Sequence, residues 1–254
     1  MEMSPKMIML VALSFLIVSC LYSMAGFGGG SSYIATLSLA FQDFQVIRSN
    51  ALLCNIAVVA LGCCIAHREG ELSWHKVLPY AVVSAPAAFI GAQIQLSASA
   101  FFIVLGISLI LSAMALFIEK GHTPITLQSR PPILASYTGG GIGFLSGMVG
   151  IGGGIFLSPI LHLFRLENAH QVTRIASFFI LVNSTCGLAG LAITNTFQTT
   201  WQISALLLVC VLLGGYFGAT FSAKKLNESL IKKITGILVM AAGVRLLVSC
   251  SFHL

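Results

Sequence analysis

The chain has 254 residues, 57% of them hydrophobic and 8% charged, with a mean hydropathy of +0.98. A soluble domain carries about 25% charged residues, so composition alone excludes one. The net charge of +6 would suit a nucleic-acid partner, but the thirteen Lys and Arg are scattered over many loops with no basic stripe, the distribution that orients a membrane protein.

A membrane-crossing helix needs about 20 apolar residues. Met7 to Phe41 carries no formal charge, is too long for one simple span, and is broken at Gly26-Phe27-Gly28-Gly29-Gly30. Lys6 and the apolar run after it resemble a signal peptide with a cleavage site at Ser23-Met24-Ala25, a reading opposed by the repeat described below. Ala51 to Ala66 with its flanks predicts one span, and Val77 to Ile118 predicts two, divided near Gln93–Ser97. Residues 121–132 form a polar link between a first half, 1–120, and a second half, 133–254. Pro131 to Phe164 is uncharged and broken again, at Gly147-Met148-Val149-Gly150-Ile151-Gly152-Gly153-Gly154. Ile175 to Ala223 predicts two spans divided at Asn195–Thr200, and a last one runs from about Leu230 to Cys250. The seven cysteines are odd in number and lie mostly in apolar segments, so they read as buried small side chains and not as a disulfide framework or metal set. No cofactor is implied.

The halves match. Gly26, Gly28, Gly29 and Gly30 align with Gly150, Gly152, Gly153 and Gly154 at an offset of 124, Val46-Ile47-Arg48 with Val172-Thr173-Arg174 at 126, and Trp74 and Gly91 with Trp201 and Gly218 at 127. The expected fold is therefore an all-α polytopic membrane protein of two homologous halves, each a glycine-broken segment plus three transmembrane helices. If each broken segment crosses once, loop cations divide five against seven; if each dips in and returns, two against ten, with Arg245 set aside inside the last span. The positive-inside rule favours the second arrangement, with re-entrant breaks and inverted halves. Most Lys and Arg loops are then cytoplasmic and both termini outside, in an inner (plasma) membrane of bacterial type.

The run from Gly143-Phe144-Leu145-Ser146 through Gly152-Gly153-Gly154 to Ser158-Pro159-Ile160-Leu161 resembles the signature of the TauE/SafE sulfite exporter family. The resemblance extends over nearly the whole chain, including the weaker copy at Gly28–Gly30 and the Gly214–Ala219 stretch. It implies a permease associated with export of sulfite, sulfoacetate and related organosulfur anions. The first copy departs from the pattern in having Ser31-Ser32-Tyr33 and no proline matching Pro159, and the link near Gln198 has no acidic residue.

Where a helix restarts after the glycines, its first N–H groups lack intrahelical partners and its dipole is positive, which suits an oxyanion without a buried cation. Gly28, Gly29 and Gly30 with the hydroxyls of Ser31 and Ser32 form one candidate donor set, and Gly152, Gly153 and Gly154 the other. Close helix packing through the Gly26/Gly30 and Gly150/Gly154 pairs is the competing explanation. Arg48 and Arg174 are candidates to draw anions to the two mouths or to snorkel at the interface. Asn55 and Asn183 are candidates to line a path or to bond across helices, and Pro159 marks a bend. The expected partners are a small anion and the lipid bilayer, not nucleic acid, and a homo-oligomer is compatible with the sequence. An enzyme reading fails for want of a serine-protease motif, a dinucleotide fingerprint or a P-loop. A passive anion channel and a structural or assembly role remain as alternatives to a carrier.

Overall fold

The structure, a computed structural model, describes residues 5–41, 43–68, 74–94, 97–118, 132–163 and 169–225, and beyond them 233, 236–237, 239–241, 243–245 and 247–248. No strand occurs among the described residues. In chain order they form α1 (Pro5–Met24), α2 (Gly30–Leu37), α3 (Phe44–Arg68), α4 (Trp74–Ala92), α5 (Ala98–Ile118), α6 (Pro132–Val149), α7 (Gly154–Leu163), α8 (Ala169–Ile193) and α9 (Trp201–Lys225). The helices end where the sequence predicts: at Gln93–Ser97, at Asn195–Thr200, and at both glycine runs. The polar link lies outside the described residues up to residue 131, and Pro132 opens α6 at the position where a missing N–H does no harm. The predicted last span is described only in part, and each of its described residues from 233 to 248 is helical.

Four helices among the described residues are long and apolar enough to cross a membrane: Pro5–Met24, Phe44–Arg68, Gln171–Ile193 and Trp201–Phe221. The polarity of the described helices is arranged for lipid. Leu10, Val82, Leu111 and Val209 are exposed, whereas Ser19, Ser31, Asn55, Ser84, Asn183 and Ser184 are buried. In hydrocarbon nothing outside the protein can satisfy a hydroxyl or amide; Asn55 and Ser184 bond each other, and Ser19 and Ser84 donate to Leu16 O and Ala81 O of their own helices.

Both breaks are built in the same way. The N–H of Phe27 donates to Tyr22 O at 2.9 Å and that of Gly26 to Ser23 O at 3.1 Å, closing α1 with Gly26 at φ 75°. The N–H groups of Ile151 (3.3 Å) and Gly150 (2.7 Å) close α6 onto Ser146 O, with Gly150 at φ 74°. Such left-handed helix ends favour glycine because a Cβ there meets the backbone. Three residues on, Gly29 (φ 90°) and Gly153 (φ 78°) lead into α2 and α7. The carbonyl of Gly29 accepts from the Tyr33 N–H, and that of Gly153 from the Phe156 and Leu157 N–H groups.

Helix pairing also matches between halves. α4 packs along α6, and α1 along α9. Gly139, Gly143 and Gly147, one turn apart on α6, lie against the carbonyls of Tyr80, Ser84 and Ala88, so α4 and α6 run parallel at close range. The matched glycines make matched contacts: Gly91 against Phe144 O, and Gly218 against Cys20 O. The central pair, α3 and α8, behaves differently. Ser49 meets Gln198 and Asn55 meets Ser184, while Val59 and Gly62 share a pocket wall with Thr173 and Ser177. Numbers rise along one helix as they fall along the other, so α3 and α8 are antiparallel.

Candidate functional site

The two breaks meet beside Asn55. A Cβ on Gly28 would overlap Asn55 Oδ1, one on Gly30 would lie 3.3 Å from Ile151 O, and one on Gly152 would lie 2.8 Å from Asn55 Nδ2. Asn55 is buried, and its Nδ2 donates to Ile151 O and to Ser184 Oγ, both at 2.9 Å. Asn183 of α8 reaches Gly152 O at 3.5 Å. The amides thus hold main-chain carbonyls that the left-handed glycines would otherwise leave without partners, which matters in a dry interior. Asn55 Oδ1, Asn183 Oδ1 and Ser146 Oγ are buried without a hydrogen-bond partner among the described residues.

Each break is gripped by the central helix of the other half. Asn55 of α3 holds the second break, and Ser177 of α8 holds the first by donating to Gly26 O at 2.6 Å. A Cβ on Gly26 would strike Thr173 of α8, whereas one on Gly150 would lie 2.7 Å from Arg48 Cγ of α3. Arg48 is 5% exposed and donates through Nη2 to Gly147 O and, at 3.4 Å, to Ala92 O. Arg174 is only half-buried. It lines a small pocket of about 10 Å³, room for about one water molecule, together with Ser23, Gly26, Thr173, Ser177 and Ala219.

The structure therefore brings Gly28, Gly30, Gly152, Asn55 and Asn183 together and sets Arg48 and Arg174 near opposite ends of the antiparallel pair. Gly29, Gly153, Gly154 and Ser31 are buried beside the breaks. A Cβ on Gly153 would press on Ser146 and Phe179, and one on Gly154 on Ile180 and Ala176 O. Ser32 is half-buried and donates to Tyr22 Oη at 2.8 Å. Pro159 lies inside α7 and is buried.

Sequence reasoning passed over Thr173, Ser177 and Ser184. A signal for them exists: at i, i+4 and i+11 they share one face of α8, and all three are buried. The polar groups on offer are mixed: Asn55 Oδ1 and Asn183 Oδ1 accept, the Ser146 hydroxyl can donate or accept, and Arg48 brings a guanidinium that already binds two carbonyls. Of the acidic residues only Asp43 is among the described ones, and its Oδ1 accepts from Gln45 N at 2.8 Å.

Comparison with known proteins gives a consistent picture. The family model described as sulfite exporter TauE/SafE matches residues 11–246. A probable membrane transporter protein of Sinorhizobium fredii, y4hK, is 32% identical over 246 residues, covering 93% of this chain and 97% of that protein. YunE of Bacillus subtilis, also named a probable membrane transporter protein, is 27% identical over 91% of this chain and 94% of its own length. A Haemophilus influenzae protein with the same description is 25% identical over 90% of this chain and 91% of its own. No solved structure matches the chain significantly.

Proposed function

Because the chain belongs to the sulfite exporter TauE/SafE family and is a multi-pass membrane transporter, we propose that it moves a small anion by alternating access between two inverted halves. The anion class is a sulfur oxyanion or organosulfonate of the sulfite or sulfoacetate type. The observation that carries the reading is the reciprocal grip, with Asn55 of the first half on the second break and Ser177 of the second half on the first. A tilt of one half against the other would then shift both breaks together, as a carrier requires.

Inversion is supported by the antiparallel run of α3 and α8. If each broken segment crossed the membrane once, these matched helices would cross in the same sense; if each re-enters, they cross in opposite senses. The same arrangement puts the Arg174 end in the cytoplasm with most loop cations, and the Arg48 end outside. Anion selectivity is supported by the main-chain N–H groups at the helix restarts, the hydroxyls and the two guanidiniums, with no carboxylate inside a described helix.

Uptake of labelled sulfite, sulfate, thiosulfate and an organosulfonate into vesicles holding the purified protein tests this, with a Gly153→Leu variant alongside. Gly153 has φ 78° and no room for a side chain. Saturable flux of one of these anions, lost in a variant that still folds, is the expected result. Absence of flux for all four with folded protein removes the sulfur-anion reading, and unsaturable conductance replaces the carrier with a channel.

A further inference from the structure

Near its start α3 carries two buried polar residues in a row, Ser49 and Asn50, and both reach the link between α8 and α9. The N–H of Gln198 donates to Ser49 Oγ at 3.2 Å. Asn50 Nδ2 donates to Val46 O, one turn back, at 2.8 Å, which leaves Oδ1 to face the link. There Oδ1 accepts from the hydroxyl of Thr199, at 3.3 Å, and from that of Ser204, in the first turn of α9. The two hydroxyls also bond each other. This seam joins a helix of the first half to a link and a helix of the second. Each of its side chains has a partner, and such a buried network holds one arrangement and parts as a unit.

The repeat offsets map Ser49 to Ile175, Asn50 to Ala176 and Ser204 to Val77, and these three are buried as well. Where one half has hydroxyls and an amide, the other has hydrocarbon. The mates of Gln198 and Thr199 lie outside the described residues. The two kinds of position respond differently to water. Water replaces the hydrogen bonds of a polar seam, so parting it costs only the small net value of each bond. Parting an apolar contact exposes hydrocarbon, at a cost that grows with its area.

We propose that the Ser49–Asn50 seam is a gate at this end of the central helix pair. It is closed in the structure, and it parts when the α8–α9 link and the head of α9 draw away from α3. Opening it uncovers the way inward along α3 to Asn55 and the two breaks. The proposal rests on the alternating-access reading for its purpose, but its geometry is read without any substrate.

The test uses full-length protein with its seven native cysteines replaced and follows the rate of reaction with a small thiol reagent in detergent. Three single cysteines serve as probes: Ser49→Cys in the seam, Ser184→Cys beside Asn55, and Ile175→Cys at the matched apolar position. All three should react slowly in the otherwise unchanged protein. Asn50→Ala removes the acceptor of two hydroxyls and should speed Ser49→Cys and Ser184→Cys together, roughly tenfold, the scale of one net hydrogen bond. Ile175→Cys should be no faster. Ser204→Ala, which leaves Asn50 bonded to Thr199, should give a smaller rise at the same two probes and serves if Asn50→Ala does not fold. An unchanged Ser49→Cys rate, or fast Ser49→Cys before any seam substitution, would overturn the gate. A rise at Ser49→Cys alone would mean local fraying, and a rise at all three general loosening, and either result would also overturn it. None of these readings needs flux, so failure of the gate and failure of the anion reading are separable.

Discussion

Gly150→Val is expected to abolish flux and lower the melting temperature sharply, and Gly26→Val to do the same. Both glycines sit near φ 75°, where a β-branched residue costs about 1–3 kcal/mol from backbone strain alone. The added side chain then has nowhere to go. At Gly150 its Cβ would lie 2.7 Å from Arg48 Cγ and 2.9 Å from Nε; at Gly26 it would strike Thr173 and lie 2.8 Å from that residue's carbonyl oxygen. A flexible arginine yields more readily than a backbone carbonyl, so Gly26→Val should be the more damaging of the two. Gly141→Ala is the control, since Gly141 is in α6 and a Cβ there meets nothing within 4 Å. Its stability and flux should match the parent, because alanine is at least as good a helix former. Thermal unfolding in detergent and vesicle uptake read both effects. Normal flux in a folded Gly150→Val protein would show that the left-handed turn is not needed.

Asn55→Leu is expected to lose at least tenfold in flux and about 1–3 kcal/mol in stability, the scale of two buried hydrogen bonds in a membrane interior. Leucine keeps the branching but has bulkier ends, so the loss combines the missing amide with crowding against Gly28. Ile151 O and Ser184 Oγ would each lose a donor now at 2.9 Å. Asn183→Leu should cost less, because its single contact to Gly152 O is 3.5 Å long. Equal losses for the two variants would mean that the amides act through something other than these bonds, and a milder Asn55→Leu would remove it from the centre of the site.

Much of this architecture is legible in the amino-acid order, for identifiable reasons. A bilayer tolerates no charge in a span, so charge-free runs divided at Gln93–Ser97 and Asn195–Thr200 mark helices α4, α5, α8 and α9 to within a few residues. Left-handed helix ends favour glycine, so the runs at Gly26–Gly30 and Gly150–Gly154 mark the breaks. Close parallel packing needs small residues, and Gly91 and Gly218 announce the same contact twice. Other features depend on which helix lies beside which. That Ser177 would hold Gly26, or Asn55 would hold Ile151, depends on the antiparallel pairing of α3 and α8, which no local pattern encodes. The different roles of Arg48 and Arg174 are the least legible of all. The repeat makes the two positions equivalent, whereas the fold buries Arg48 and leaves Arg174 half-buried.

The inverted-repeat form of alternating access requires that the two halves pass through the bilayer in opposite senses. Single cysteines at Gln45, before the body of α3, and at Gln198, between α8 and α9, report this directly, because Gln198 N lies 3.2 Å from Ser49 Oγ. In intact cells, a membrane-impermeant thiol reagent is predicted to label Gln45→Cys and Gln198→Cys alike from outside. Labelling of one from outside with the other reached only after permeabilisation would place the two links on opposite faces, and the inverted-repeat carrier would be wrong.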